Sequence, residues 1–434
     1  MERIRPEHPR LFINPEILDT LRTNAAGRER EHFAGIKGKV DEWLERDPGI
    51  HFHVYETTLP SILTVYFVTG EERYRDHALR IFRDAVPYVE DCYRKRKAVS
   101  WFSFARIGLY MAYDWLYDEL SPEERERFGE ALMQNVVDLN TGDIIQGENR
   151  YGFPGGGFYG TQNLYWYAGL AFHGDGIDDE RARDFLLKGY ENQMAVAKHR
   201  AKTAGDDGGL AAIVYGYAFG AYPRAEWNFL HTWQSAIGEN IAPRFDYLPG
   251  VLNWLAWMII KDGDTLRYHG TGDAHHTSNT LGSINNSHLL QVRAFYQDSH
   301  PQHARLAQYL MDINPSTNRG GYFFADLYPL LIAEPPDPVK PLGPDETWPT
   351  ARFFENFGQI FMRSGFSGDD TYVLFTAGAA TGNHKHYDEN NFLIYKHGQQ
   401  VMDTGTRDHA SHTTEYYSRT IAHNCILVHM PEES

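Results

Sequence analysis

Between residues 10 and about 335, apolar residues recur every three or four positions, the spacing of one face of an amphipathic helix. Turn residues such as Thr69-Gly70 interrupt this pattern. The predicted helices cover residues 54–69, 72–86, 101–118, 122–139, 161–173, 179–201, 213–236 and 248–260. Because antiparallel helix pairs follow one another along the chain, the pattern predicts a helical toroid or solenoid with a loose repeat.

The start of one helix is marked with particular clarity. Ser121-Pro122-Glu123-Glu124 supplies an N-cap hydroxyl, a proline at the first helical position and acids in the first turn. We therefore expect a helix to begin at this point.

The pattern changes after the proline-rich segment 335–341, which cannot be helical and marks a domain boundary. Beyond it, apolar and polar residues alternate as in strands. The predicted strands are 358–363, 371–375, 391–395 and 424–428. We therefore predict an incomplete (α/α) toroid domain over 1–335, a linker over 336–350 and an antiparallel β-sheet or sandwich domain over 351–434. Four or five strands are few for a sandwich, so we expect this domain to be truncated.

Composition adds two restrictions. The chain of 434 residues is 42% hydrophobic and 23% charged, as is ordinary for a globular protein, but its 14% aromatic content is high. Aromatic rings pack in cores, and they also stack on the flat faces of sugars. The formal net charge of −17 argues against nucleic acid as a partner, although a local basic cleft remains compatible with an anionic ligand.

The expected compartment follows from what the sequence lacks. Cys92 and Cys425 are too distant to indicate a disulfide framework. No run of 18 apolar residues predicts a membrane span, and the N-terminus lacks the apolar core of a signal peptide. We expect a cytoplasmic protein, or a periplasmic or secreted one if Met1 is an artificial start.

Histidines and acids gather near the C-terminal end. His384 and His386 lie one residue apart on an extended segment, so their side chains point the same way. Asp388 follows, Asp403 comes after the next strand, and His423 is the third histidine within forty residues. Imidazoles and carboxylates in this number predict a metal site beside a proton-transfer site, and hence an enzyme.

Several segments resemble one protein family. They are residues 8–12, 105–110 and 113–125, the stretch from Asn383-His384-Lys385-His386 through Asp403-Thr404-Gly405, and 422–424. Together they resemble the heparinase II/III group of polysaccharide lyases over nearly the whole chain. The resemblance implies an (α/α) toroid joined to an antiparallel β-sandwich with an active site in the cleft between them. It also implies β-elimination on a polysaccharide that contains uronic acid.

Elimination removes the C5 proton of the uronate and expels the 4-linked oxygen, so it needs a group that neutralises the carboxylate, a base and an acid. The resemblance implies that Asn163 engages the carboxylate and that Tyr217 and His384 divide the proton transfers. Tyr215 and Tyr222 compete with Tyr217. An asparagine such as Asn163 could equally be a helix N-cap.

Leu164 stands where many relatives have a histidine, which leaves Gln162 as a substitute for that side chain. A tyrosine base needs a nearby cation, because its ordinary pKa is near 10, and Arg224 is the candidate. The further substrate-binding candidates are Gln162, Tyr222, Arg224, Trp101, Arg106 and Tyr417. Each could instead be a core aromatic or a structural ion pair.

The resemblance also implies that His386, Asp403 and His423 hold a metal. Two imidazoles and one carboxylate suit Zn²⁺, with water or another oxygen as the fourth ligand. We expect a structural role, because the ion would tie three strands together. Asp388 could orient a histidine. The alternative is a hydrogen-bonded cluster without metal.

The expected substrate is an anionic polysaccharide or oligosaccharide, with glycosaminoglycan favoured over alginate. Two other functions stay open: a toroid glycoside hydrolase, which would use two carboxylates, and a non-catalytic carbohydrate-binding protein. A short sheet with an exposed edge would also invite pairing with a second copy, so a homo-oligomer is expected.

Overall fold

The computed structural model describes residues 2–46, 54–95, 99, 104–140, 162–205, 208, 214–215, 224–274, 278–280, 283–314, 323–335, 337–345, 347–377, 385–407 and 412–426. The chain divides into two compact units. The helical unit comprises Met1–His199, Arg224–Arg244 and Arg319–Glu334, and the sheet unit comprises Arg200–Pro223, Phe245–Asn318 and Pro335–Ser434. The domain boundaries predicted from the sequence stay a prediction.

Helices make up most of the described chain before residue 335. They are α1 (Pro15–Ala26), α2 (Arg30–Glu45), α3 (Leu59–Thr69), α4 (Glu72–Arg94), α5 (Phe104–Trp115), α6 (Pro122–Asn140), α7 (Gln162–Phe172), α8 (Asp179–Thr203), α9 (Arg224–Ile237), α10 (Val251–Met258), α11 (Ser283–Tyr296), α12 (Pro301–Ile313) and α13 (Tyr328–Leu331). Within the described residues, none of them is both long and apolar enough to cross a membrane.

The start of α6 is as the sequence predicts. The Ser121 hydroxyl accepts a hydrogen bond from the Glu124 backbone N–H at 3.2 Å, and the Glu124 carboxylate accepts one from the Ser121 N–H at 3.0 Å. These reciprocal bonds satisfy two N–H groups that the first turn of a helix leaves without a partner.

Close helix packing in the helical unit depends on glycine. A Cβ atom added at Gly108, in α5, would overlap the Tyr55 carbonyl oxygen, and one at Gly189, in α8, would overlap the Trp166 backbone in α7. Only a residue without a side chain permits these approaches.

A buried polar network ties the N-terminal segment to α5. The Asp114 carboxylate accepts hydrogen bonds from the backbone N–H groups of Arg10 and Leu11, both at 2.8 Å, and lies 2.7 Å from His8 Nδ1. His8 Nε2 lies 2.9 Å from Asp175, and its ring stacks on Tyr117 at 3.8 Å. Burial alone would lower the pKa of His8, but the hydrogen bonds to Asp114 and Asp175 outweigh it, so the pKa is raised.

The sheet unit contains two antiparallel sheets. The smaller sheet has the order β1 (Ile260–Asp262), β2 (Thr265–His269), β3 (Ser278–Thr280). The larger has the order β4 (Ala351–Phe354), β5 (Gln359–Arg363), β6 (Tyr372–Thr376), β7 (Asn391–Tyr395), β8 (Gln399–Val401).

The strand register defines two ends of the larger sheet. At one end Tyr372 of β6 is paired with Arg363 of β5 and Tyr395 of β7; we call this the Tyr372 end. At the other, the Thr376 end, Thr376 is paired with Gln359 and Asn391. Phe361, Leu374 and Leu393 are paired across the three strands between the two ends, and all three are buried. Burial alternates along each of these strands, as expected for a sheet with one covered face.

The predicted fold class, a helical region followed by an antiparallel sheet, is confirmed. The strands predicted over 358–363, 371–375 and 391–395 correspond to β5, β6 and β7. Short strands were missed, namely β4, β8 and the sheet β1–β3, which lies within the region expected to be helical.

The strand predicted over 424–428 is wrong in its described part, residues 424–426. The Asn424 side chain instead donates hydrogen bonds to the carbonyl oxygens of Phe392 at 3.0 Å and Met402 at 2.8 Å. Neither Cys92 nor Cys425 is part of a disulfide.

Candidate functional site

Three buried side chains of the sheet unit meet near the Thr376 end of the larger sheet. Asp388, Asp403 and His423 each offer one ligand atom, and these atoms all lie within 4.8 Å of one another. Asp388 precedes β7 and Asp403 follows β8, so two neighbouring strands bring the acids together. This group, with His386 beside it, is called the His–Asp cluster below.

Asp403 is held in place by three hydrogen bonds. One carboxylate oxygen accepts from the Gly405 backbone N–H at 2.7 Å and lies 2.8 Å from His423 Nδ1, while the other accepts from the Asn391 amide at 2.8 Å. A Cβ atom at Gly405 would overlap the His423 ring, which explains the glycine two residues after the acid. Asp403 thus orients His423.

The two histidines each have one ring nitrogen bound and one without a partner. His423 Nδ1 is bound to Asp403, whereas its Nε2 is buried without a hydrogen bond. His386 Nε2 lies 2.8 Å from the Asp273 carboxylate, and its Nδ1 is buried without a partner. The ring centroids are 5.4 Å apart. Burial lowers the pKa of His423, but the Asp403 hydrogen bond outweighs it and the pKa is raised.

Asp388 is the least satisfied member of the cluster. Its carboxylate is fully buried, and neither oxygen has a hydrogen-bond partner. Burial raises the pKa of Asp388 to about 6, although the neighbouring histidines oppose this shift. A buried acceptor without a partner costs about 1–3 kcal/mol, so evolution retains such a group where a ligand completes it.

The cluster fits a divalent cation. Imidazole nitrogens and carboxylate oxygens are the donors that zinc prefers; Asp388, Asp403 and His423 lie close enough to share an ion, and the His386 ring lies 5.4 Å from that of His423. Asp273 binds Nε2 of His386, as the carboxylate behind a metal-bound histidine does. The sequence reasoning missed Asp273; its signal was the Gly272-Asp273 turn, far from the cluster in sequence.

The predicted catalytic residues lie mostly outside the described structure. Tyr217 and His384 fall outside the described residues, as do the substrate-binding candidates Tyr222 and Trp101. Asn163 and Gln162 lie in the first turn of α7, and the description does not extend to their side chains. The roles of all these residues stay predictions.

The remaining candidates are described, and most are buried. Tyr215, which competes with Tyr217, is 6% exposed, and its ring lies 4.1 Å from that of Tyr268. Arg106 is 0% exposed with its guanidinium 3.5 Å from the Asn135 amide oxygen, and Arg224 is 3% exposed at the start of α9. Tyr417 is half-buried and ends a short helical turn. Their part in substrate binding stays a prediction.

Residues 347–432 match the family model described as Heparinase II/III-like, C-terminal. This segment is similar to the C-terminal domain of heparinase II/III-like proteins. The resemblance proposed from the sequence is thereby confirmed, and the domain contains His386, Asp388, Asp403 and His423. No curated protein matches the chain.

Solved structures of heparinases have a similar fold. The chain is 14% identical to a structure named Heparinase III, with a TM-score of 0.50 and coverage of 83% of this chain and 53% of the other. It is 18% identical to heparan sulfate lyase HepC from Pedobacter heparinus, with a TM-score of 0.44 and coverage of 83% and 50%. A further heparinase III gene product is 14% identical, with a TM-score of 0.49 and coverage of 95% and 61%.

At such identities the likeness concerns the fold. The chain spans between 50% and 61% of the length of these heparinases.

Proposed function

We propose that this protein is a polysaccharide lyase that cleaves a uronic-acid-containing polysaccharide by β-elimination and leaves 4,5-unsaturated uronate ends. The observation that carries the proposal is the buried His–Asp cluster inside a heparinase II/III-like domain. Glycosaminoglycan is the favoured substrate class, since the similar structure with a TM-score of 0.50 is named Heparinase III. Alginate is the second candidate.

The proposed chemistry distributes the proton transfers among three side chains. The Asn163 amide would donate to the uronate carboxylate, which lowers the cost of the charge that develops when C5 loses its proton. Tyr217 and His384 would divide the removal of that proton and the protonation of the departing 4-oxygen. Gln162, Tyr222, Arg224, Trp101, Arg106 and Tyr417 would contact the sugar chain.

We further propose that the His–Asp cluster binds Zn²⁺ through His386, Asp403 and His423, with an oxygen of Asp388 as the fourth ligand. Asp388 supports this because its two buried oxygens have no hydrogen-bond partner. Bound zinc would supply a cross-link between the segment before β7 and the segment after β8, and four protein ligands are typical of a structural site. Two residues away in sequence, His384 would then be held in place for proton transfer.

The test is the ultraviolet absorbance of the unsaturated uronate during incubation with heparan sulfate, heparin, chondroitin sulfates, hyaluronan and alginate. A rise with a glycosaminoglycan supports the proposal, and a rise with alginate alone corrects the substrate. Release of reducing ends without absorbance indicates a hydrolase, which contradicts the mechanism.

His384→Ala tests the assignment of the catalytic histidine. We expect turnover to fall by at least about 100-fold, since general acid–base groups contribute this much, while zinc content and melting temperature stay unchanged. Retained activity would remove His384 from the mechanism.

A further inference from the structure

A cavity opens at the Tyr372 end of the larger sheet, away from the His–Asp cluster. Its volume is about 460 Å³, within the roughly 300–1,000 Å³ range of small-molecule sites. Its walls come from Pro344, Asp345, Trp348 and Thr350, which precede β4, and from residues 364–367, which follow β5. The lining residues are Pro344, Asp345, Trp348, Thr350, Ser364, Gly365, Phe366 and Ser367.

An aromatic cluster supports the cavity. Trp348 and Phe366, both half-buried, lie 5.8 Å apart at an interplanar angle of 77°. Each also packs on the fully buried Trp257 of α10, at 6.2 Å and 5.3 Å between ring centroids. Rings that pack on a buried residue on one side and are exposed on the other can stack on a flat apolar ligand face.

The polar groups of the lining suit hydroxyl-rich ligands. Thr350, Ser364 and Ser367 are exposed at the cavity, and a hydroxyl can donate and accept hydrogen bonds. Aromatic platforms combined with several hydroxyls match a pyranose ring, which has an apolar face and a polar rim.

The cavity walls are held rigidly. Asp345 accepts hydrogen bonds from the Thr347 N–H at 2.8 Å and the Thr347 hydroxyl at 2.6 Å, and its carbonyl oxygen accepts one from the Trp348 N–H at 3.0 Å. The facing turn is closed by Ser364, whose hydroxyl accepts from the Thr371 N–H at 2.8 Å. A site that is ordered before binding loses less entropy when the ligand arrives.

The charge of the cavity lining disfavours anionic sugars. Among the described lining residues, Asp345 is the only charged one. The nearby Arg363 is buried and engaged: it donates to the Trp257 carbonyl oxygen at 2.7 Å and pairs with Asp370 at 3.4 Å. With an exposed carboxylate and no available cation in the described lining, the cavity repels sulfate and carboxylate groups.

The strand register separates the cavity from the His–Asp cluster. The cavity adjoins Arg363 and Tyr372, whereas Asp403 bonds to Asn391, which is paired with Thr376. Four residue steps of about 3.3 Å place the two ends of β6 roughly 13 Å apart. A sugar in the cavity is therefore not the sugar at the cluster.

We propose that this cavity is a second carbohydrate-binding site, which takes an uncharged pyranose ring such as a neutral hexose or N-acetylhexosamine. It stands apart from the proposed elimination, because binding here needs neither zinc nor turnover.

The test is isothermal titration calorimetry of the full chain with the trisaccharide of N-acetylglucosamine and with an oligosaccharide of glucuronate. We expect Trp348→Ala to weaken binding of the neutral trisaccharide by about tenfold or more, because a stacking platform is lost. Phe353→Ala, an exposed aromatic of β4 outside the cavity, is the matched control and should bind as the native chain does.

Two further variants guard against a folding defect. Ser367→Trp fills the cavity from an exposed position and should also abolish binding, while Asp345→Asn should reduce the discrimination against glucuronate. Neutral-sugar binding that is absent from the native chain, or unchanged in Trp348→Ala and Ser367→Trp, overturns the proposal.

Discussion

At the scale of single residues, the His–Asp cluster differs from an ordinary polar cluster in what it leaves unsatisfied. A self-sufficient cluster pairs its buried atoms with one another. Here His386 Nδ1, His423 Nε2 and both oxygens of Asp388 have no hydrogen-bond partner. Imidazole nitrogens and carboxylate oxygens are metal ligands, so these atoms support the proposed zinc site over the metal-free alternative.

Removing one ligand should release the metal. We expect His423→Ala and Asp388→Asn each to lose most of the bound zinc, measured by plasma mass spectrometry, and to lower the melting temperature by about 5 °C or more, because binding energy is also folding energy. Glu389→Gln, which changes the acid next to Asp388, is the matched control and should keep its zinc. Unchanged zinc in both ligand variants would refute the assignment.

His8 should make stability depend on pH. Its pKa is raised above the ordinary value of 6.5 in the folded state, so the folded state holds the proton more tightly. The stabilisation that protonated His8 contributes is fully present below the ordinary pKa of 6.5, and it is lost as pH rises through the raised pKa of the folded state. The excess stability of the native chain over His8→Gln, from urea denaturation, should therefore shrink with rising pH.

At the scale of elements, glycines set how closely helices pack. Gly108→Ala should destabilise the helical unit by about 1–3 kcal/mol, because the new methyl group meets the Tyr55 carbonyl oxygen. Gly38→Ala, on the exposed side of α2 with no atom within 4 Å of the new Cβ, should stabilise it by about 0.5–1 kcal/mol. Denaturation midpoints of the two variants should thus move in opposite directions.

The elements that the sequence predicted well are those with a strong local signal. The capping residues at the start of α6 and the alternation of apolar and polar residues in β5–β7 lie within these elements themselves, so the local sequence predicts them. The three-residue strands β1, β3 and β8 are too short for a period to emerge. Residues 424–426 belong to a segment whose sequence predicts a strand. Instead, the Asn424 side chain donates a hydrogen bond to the carbonyl oxygen of Met402, which lies 22 residues away in sequence.

The same distinction holds for the candidate site. The spacing of His386, Asp403 and His423 was visible in the sequence, and so was the presence of Asp388. The partner of His386, Asp273, lies 113 residues away and became visible only through the fold. Both Asp388 oxygens are buried without a hydrogen-bond partner, and this burial likewise depends on the fold, so no local sequence pattern predicts it.

At the scale of the whole molecule, the two compact units should respond differently to metal removal. The His–Asp cluster and Asp273 belong to the sheet unit. We expect a chelator to accelerate amide hydrogen exchange over residues 385–407 and 412–426, because the proposed zinc cross-link would be lost, and to leave α1–α6 unchanged. Uniform acceleration across both units, measured by mass spectrometry, would contradict a local structural role.

The register of β5, β6 and β7 places two sets of loops at opposite ends of the sheet, so their sequences can evolve independently. The apolar residues of these strands maintain the sheet, while the loops at the Tyr372 end and the Thr376 end share no residue. Mutations in residues 344–350 and 364–367 can therefore accumulate without disturbing His386, Asp403 or His423. Sugar preference and chemistry become separately selectable traits, and a library randomised at one end should retain the activity that belongs to the other.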